Sequence, residues 1–132
     1  MTNWILAVLA LFFVQSVIAP VIRYVSAGKA GVWIAMGGRD NPPPMPPIGG
    51  RLDRALKNMF EALVVFLPLA LLIEIKGLAE GAAITGAMVF FWARVVYVPA
   101  YASGIPGLRT AVWTIGHAGL VMMVAVLLRI AG

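Results

Sequence analysis

Apolar residues fill long stretches of this chain, and polar positions gather at the ends of those stretches or along one side of them. Residues 4–22 are apolar apart from Gln15 and Ser16, long enough for a helix rising 1.5 Å per residue to cross most of a hydrocarbon core ~30 Å thick. Residues 111–128 nearly match that length, with Thr114 and His117 inside. The two middle stretches fall short. Residues 62–73 give an uninterrupted apolar run of only 12 residues, roughly 18 Å of helix. Residues 81–93 do little better before meeting Arg94. To span, the second helix must extend backward through Glu61, Asn58, Lys57 and Arg54, and the third forward through Arg94, Tyr97 and Tyr101. The pattern predicts four spans, over about 3–25, 52–75, 80–101 and 109–130, and one all-α domain over 1–132: an integral membrane protein folded as a four-transmembrane-helix bundle.

The connecting segments differ in character. Residues 26–51 carry GGRDNPPPMPPIGG, with five prolines in six positions; such a run favours polyproline-like extension and cannot continue a helix. It reads as a linker lying on the membrane surface. The second connection, with Glu74, Lys76, Gly77 and Glu80, reads as a solvated turn. Arg23, Lys29, Arg39, Arg51, Arg54, Lys57, Arg94 and Arg109 flank the spans on one side, and only Lys76 and Arg129 on the other. By the excess of basic residues on cytoplasmic flanks, the first and third loops face the cytoplasm and both termini face outward. For a chain with such compact loops the expected location is a bacterial inner membrane, with periplasmic termini. MTNWILAVLALFF has no basic segment before its apolar run, so it reads as a retained span and not a cleaved signal.

Composition strengthens this picture. Hydrophobic residues make up 62% of the 132 positions and charged residues 11%, more apolar surface than a small soluble globule can hide. With no cysteine, one histidine and five carboxylates, disulfides, a thiol nucleophile and a dedicated transition-metal site are all disfavoured. The net charge of +5 accords with topology; no basic run interleaved with aromatics supports a nucleic-acid partner.

On a helix, residues three, four and seven apart share a side. Arg54, Asn58 and Glu61 follow that spacing, with Lys57 adjacent; Arg94, Tyr97 and Tyr101 follow it on the third span. Arg109, Trp113 and His117 do so on the fourth, with Thr110 beside them. Each has an ordinary structural reading. The cations are anchors at the membrane surface, the aromatics an interfacial belt, Glu61 one half of an ion pair, and His117 a partner in an interhelical hydrogen bond. Pro68 and Pro99 read as kinks. Together, ionisable residues inside spans face the bundle interior or a cavity, and four cations against Glu61 suit a small anionic ligand.

RALKNMFEALVVFLP and RVVYVPAYASGIPGLRTAVW resemble the second-helix motif, and the third-helix to fourth-helix segment, of the MAPEG family, the membrane-associated proteins in eicosanoid and glutathione metabolism. The resemblance implies a homotrimer with glutathione bound between neighbouring subunits and open to the cytoplasm. By position it implies that Arg54, Lys57, Asn58 and Glu61 hold glutathione on one side and that Arg94, Tyr97 and Tyr101 line the other. Arg109 matches the arginine that stabilises the thiolate in catalytic relatives, Thr110 stands where some members have serine, and Arg23 matches a basic residue at the end of the first helix. It further implies a glutathione-dependent transferase or peroxidase with glutathione as cosubstrate and no metal, acting on lipophilic electrophiles or hydroperoxides. The departures are Lys57 for an arginine, Ala62 for a tyrosine after Glu61, and Trp113 for a tyrosine.

Two other functions fit the same residues: a non-catalytic lipid-binding scaffold, and a structural subunit of a larger membrane complex. The small residues Gly81, Ala82, Ala83, Gly86 and Ala87 offer a close-packing face that serves a trimer or a foreign partner equally.

Overall fold

The computed structural model describes residues 1–38 and 40–131 and is all helical among them. Arg39, expected to flank the first loop, lies outside the described residues. Helix α1 covers Thr2–Val25, α2 Gly28–Met36, α3 Pro47–Ile75, α4 Gly81–Ser103 and α5 Leu108–Ala131. Four of them, α1, α3, α4 and α5, are long and apolar enough to cross a membrane. The chain is an integral membrane protein with four spans.

The first connection departs from the linker expected over 26–51. It contains α2, and α3 begins at Pro47, inside the proline run. Both differences have a physical basis. No proline falls between residues 21 and 41, so nothing prevents a short helix there. Proline cannot continue a helix but suits its first position, where its missing N–H has no intrahelical partner to lose. Helix α3 therefore runs 29 residues, about 43 Å, longer than a ~30 Å hydrocarbon core requires. Among the sequence-predicted contacts of this region, Arg23 is held by the proline run: its Nε donates to the Pro43 carbonyl at 2.6 Å.

The core lies among α1, α3, α4 and α5, to which α1 contributes the buried Val8. Along α3, Ala55, Met59, Ala62, Phe66, Ala70 and Ile73 are buried, three or four residues apart as one helical face requires. Phe66 stacks on Phe90 of α4, centroids 4.6 Å apart and nearly parallel. Helices α4 and α5 form the closest pair. At their crossing a Cβ on Gly86 would lie 2.6 Å from the Gly119 carbonyl oxygen, and one on Gly119 would lie 2.5 Å from that of Gly86. Only two glycines let these backbones approach so closely. The small-residue face of the third span is thus largely spent inside the chain: Ala83, Gly86 and Ala87 are buried, and only Gly81 and Ala82 remain exposed.

Two hydrogen bonds pin the ends of the bundle. Thr2 Oγ1 donates to Glu74 Oε1 at 2.9 Å, tying the start of α1 to the end of α3. At the opposite end Arg51 Nη1 donates to the Ala102 carbonyl at 2.9 Å, tying the start of α3 to the end of α4. The loops that follow α1 and α4 therefore share one end of the molecule.

Candidate functional site

Two cavities lie one above the other along α3, α4 and α5. The outer one, about 390 Å³, is lined by Arg51, Arg54, Tyr101, Arg109, Thr110 and the turn Gly104–Gly107. Tyr101 organises its charge. Arg109 Nη1 donates to the Tyr101 hydroxyl at 3.3 Å, with its guanidinium carbon 5.3 Å from the ring centroid. Arg54 stands 5.9 Å from the same ring. The edge-on Tyr97 ring, 5.6 Å away, braces Tyr101 from behind. Gly104 adopts φ +71°, and a Cβ there would lie 2.8 Å from the Arg51 guanidinium, so glycine both makes the turn and gives Arg51 room. Three arginines and no carboxylate line this cavity, an electrostatic demand for an anion.

The inner cavity, about 360 Å³, is lined by Asn58, Glu61, Ala62 and Val65 of α3, Arg94 of α4, and Trp113, His117, Leu120, Val121 and Val124 of α5. Arg94 is 2% exposed. Its Nη1 donates to Asn58 Oδ1 at 2.7 Å, while Asn58 Nδ2 donates to Glu61 Oε2 at 3.3 Å. The Asn58 amide thus bridges a guanidinium and a carboxylate that do not touch. Arg94 Nε and Nη2 are buried without a hydrogen-bond partner and lie near Gly116. The Phe90 and Tyr97 rings, 5.1 and 5.4 Å away, face its charge, partly offsetting the loss of water.

The residues singled out by spacing are divided among these surroundings. Arg54, Tyr101, Arg109 and Thr110 meet at the outer cavity, and Asn58, Glu61 and Arg94 at the inner one. Tyr97 is buried behind both. Lys57 and Arg23 line neither: Lys57 is 72% exposed and pairs with Asp53 at 3.2 Å, and Arg23 is engaged by Pro43.

Arg51 is a site residue that the spacing argument had within reach. It sits three residues before Arg54 and so extends the same helical stripe. His117 is a correction. The expected interhelical hydrogen bond is replaced by one within its own helix, Nδ1 to the Trp113 carbonyl at 2.9 Å, with the two rings 3.6 Å apart. A residue four positions upstream is always within reach on a helix, so the local partner prevails.

Residues 2–129 match the model of the MAPEG family. No curated protein and no solved structure matches the chain.

Proposed function

The chain belongs to the MAPEG family, and from that premise we propose that it is a glutathione-dependent membrane transferase or peroxidase. The observation that carries this reading is the outer cavity, where Arg51, Arg54 and Arg109 converge around Tyr101 with no carboxylate among them. Glutathione has two carboxylates, and guanidinium groups bind carboxylates through paired hydrogen bonds. Its single ammonium calls for one anion, and Glu61 stands in the adjoining cavity.

Glutathione supplies the nucleophilic thiol, which suits a chain with no cysteine of its own. The Arg109 guanidinium, held beside the Tyr101 hydroxyl, favours thiolate over thiol by its positive charge. Arg54 and Arg51 hold carboxylates and fix the orientation, and Thr110 offers a hydroxyl on the same wall. Lipophilic electrophiles or hydroperoxides would reach this end of the bundle from the bilayer.

The working unit in this reading is a homotrimer, the common assembly of the family. Lys57, exposed, paired only with the neighbouring Asp53 and outside both cavities of its own chain, would then reach a site completed by a neighbour, as would the exposed Glu61 carboxylate. The outer cavity would open to the cytoplasm of a bacterial inner-membrane protein.

The test is calorimetric titration of the detergent-purified protein with glutathione, alongside the far-ultraviolet absorbance of bound thiolate. Saturable binding with a thiolate signal, both lost in Arg109→Ala, is the expected outcome. Absence of binding at millimolar glutathione overturns the reading.

A further inference from the structure

The α4–α5 pair carries a further cavity, about 330 Å³, with Met88, Val89, Trp92 and Val96 of α4 on one wall and Val112 and Ile115 of α5 on the other. None of these residues lines the two cavities already described. The helical repeat separates them. Arg94 follows Trp92 by two residues, and Ile115 follows Trp113 by two, about 200° round the helix in each case. This groove therefore faces away from the polar sites. Its side chains are apolar except for the indole N–H of Trp92 and the thioether of Met88, a weak acceptor.

Trp92 stands at an unusual depth. It is the middle residue of the 23 in α4, about 16 Å from either end of the helix. Tryptophan in membrane proteins concentrates instead at the two interfaces, where its N–H meets water or headgroups. Here the residue is 56% exposed, its ring lies edge-on to Phe91, and its N–H bonds to no group among the described residues. Hydrocarbon offers no acceptor, so an N–H facing it goes unpaired.

An indole N–H only donates, and the groove thus calls for an acceptor carried to mid-membrane depth by an apolar molecule. A charged group is costly at that depth. A hydroxyl brings a donor of its own, for which the groove has only the Met88 sulfur. A carbonyl brings an acceptor and no donor. We propose that this groove binds a lipophilic ketone, with hydrocarbon on both sides of its carbonyl, through the Trp92 Nε1–H. The site shares no residue with the outer cavity and does not depend on the glutathione reading.

The chain has four tryptophans, so ¹⁵N-tryptophan labelling yields four indole signals in the NMR spectrum, and Trp92→Phe identifies one of them. The labelled protein in phospholipid nanodiscs is titrated, without glutathione, with a mid-chain dodecanone, the dodecanol of the same skeleton, and dodecane. The ketone is expected to move the Trp92 indole proton downfield saturably, with an affinity about tenfold above that of the alcohol or the alkane. Equal affinity for the ketone and either of the others, or no shift with any of them, overturns the proposal. A Trp92 signal already at a hydrogen-bonded position before ketone is added, and unmoved by it, shows that a neighbouring copy or a bilayer lipid supplies the acceptor, and overturns it too. With a ketone ¹³C-labelled at its carbonyl, Trp92→Phe is expected to return the carbonyl shift to its value in protein-free bilayer; the three remaining indole signals show that this variant keeps its fold. Val96→Phe, which fills the groove, is expected to abolish the response of Trp92, and a response that survives it overturns the location.

Discussion

Arg94 Nη1 and Asn58 Oδ1 lie 2.7 Å apart, and this is the one hydrogen bond that the buried guanidinium makes among the described residues. A charge removed from water needs compensation by hydrogen bonds or an opposite charge. Here Glu61 compensates at one remove, through the Asn58 amide.

Asn58→Leu therefore leaves the guanidinium without a hydrogen bond and is expected to destabilise the protein by about 2 kcal/mol. The thermal unfolding midpoint in detergent reads this directly. Asn58→Asp brings a carboxylate to Arg94 while repelling Glu61, so its midpoint should lie above that of Asn58→Leu. A midpoint for Asn58→Leu equal to wild type would show that the amide bridge does not support the buried charge.

Gly119→Ala tests the α4–α5 crossing. The added Cβ would lie 2.5 Å from the Gly86 carbonyl oxygen and 2.9 Å from the Phe90 nitrogen. Both are backbone atoms, which no rotamer change can move aside. The helices must separate, at a cost of about 2 kcal/mol. The same midpoint measurement should register it, and an unshifted Gly119→Ala would mean the crossing is looser than these distances.

The spans and the polar stripes are legible in the sequence because both depend on local information. Apolar run length reveals a crossing helix, and a spacing of three or four places Arg54, Asn58 and Glu61 on one side before any partner is known. The same stripe, followed one step upstream, reaches Arg51. What the sequence does not carry is choice among distant partners. Gly86 and Gly119 are separated by more than thirty residues, and nothing local says that these two meet. The buried guanidinium of Arg94 on α4 lies beside Gly116 of α5, again a relation between helices. The start of α3 at Pro47 escapes for another reason: proline's effect reverses between the interior of a helix and its first position.

Tyr101 offers two kinds of interaction that two substitutions separate. Tyr101→Phe removes the hydroxyl bonded to Arg109 and keeps the ring beside Arg54 and Arg109. Glutathione affinity should fall by only about threefold, the scale of a weak hydrogen bond. Tyr101→Ala also removes the ring that spaces the two cations, and a loss of about tenfold or more is expected. Calorimetric titration of both variants distinguishes them. Equal losses would place the whole contribution in the hydroxyl.

Arg94→Met bears on whether an intramembrane arginine serves the ligand or the fold. Arg94 is 2% exposed, and a buried charge replaced by an apolar side chain of similar length is often neutral or stabilising. Arg109 is exposed, at the outer cavity, where a guanidinium can meet a ligand without first being uncovered. Arg94→Met should therefore keep an unfolding midpoint at or above that of Asn58→Leu, since it removes the charge that Asn58→Leu strands. Its loss of glutathione affinity should be smaller than that of Arg109→Ala. Titration and thermal unfolding of the three variants in one detergent provide the comparison. If Arg94→Met loses as much affinity as Arg109→Ala, Arg94 must leave its buried position to meet the ligand, and the two cavities act as one site.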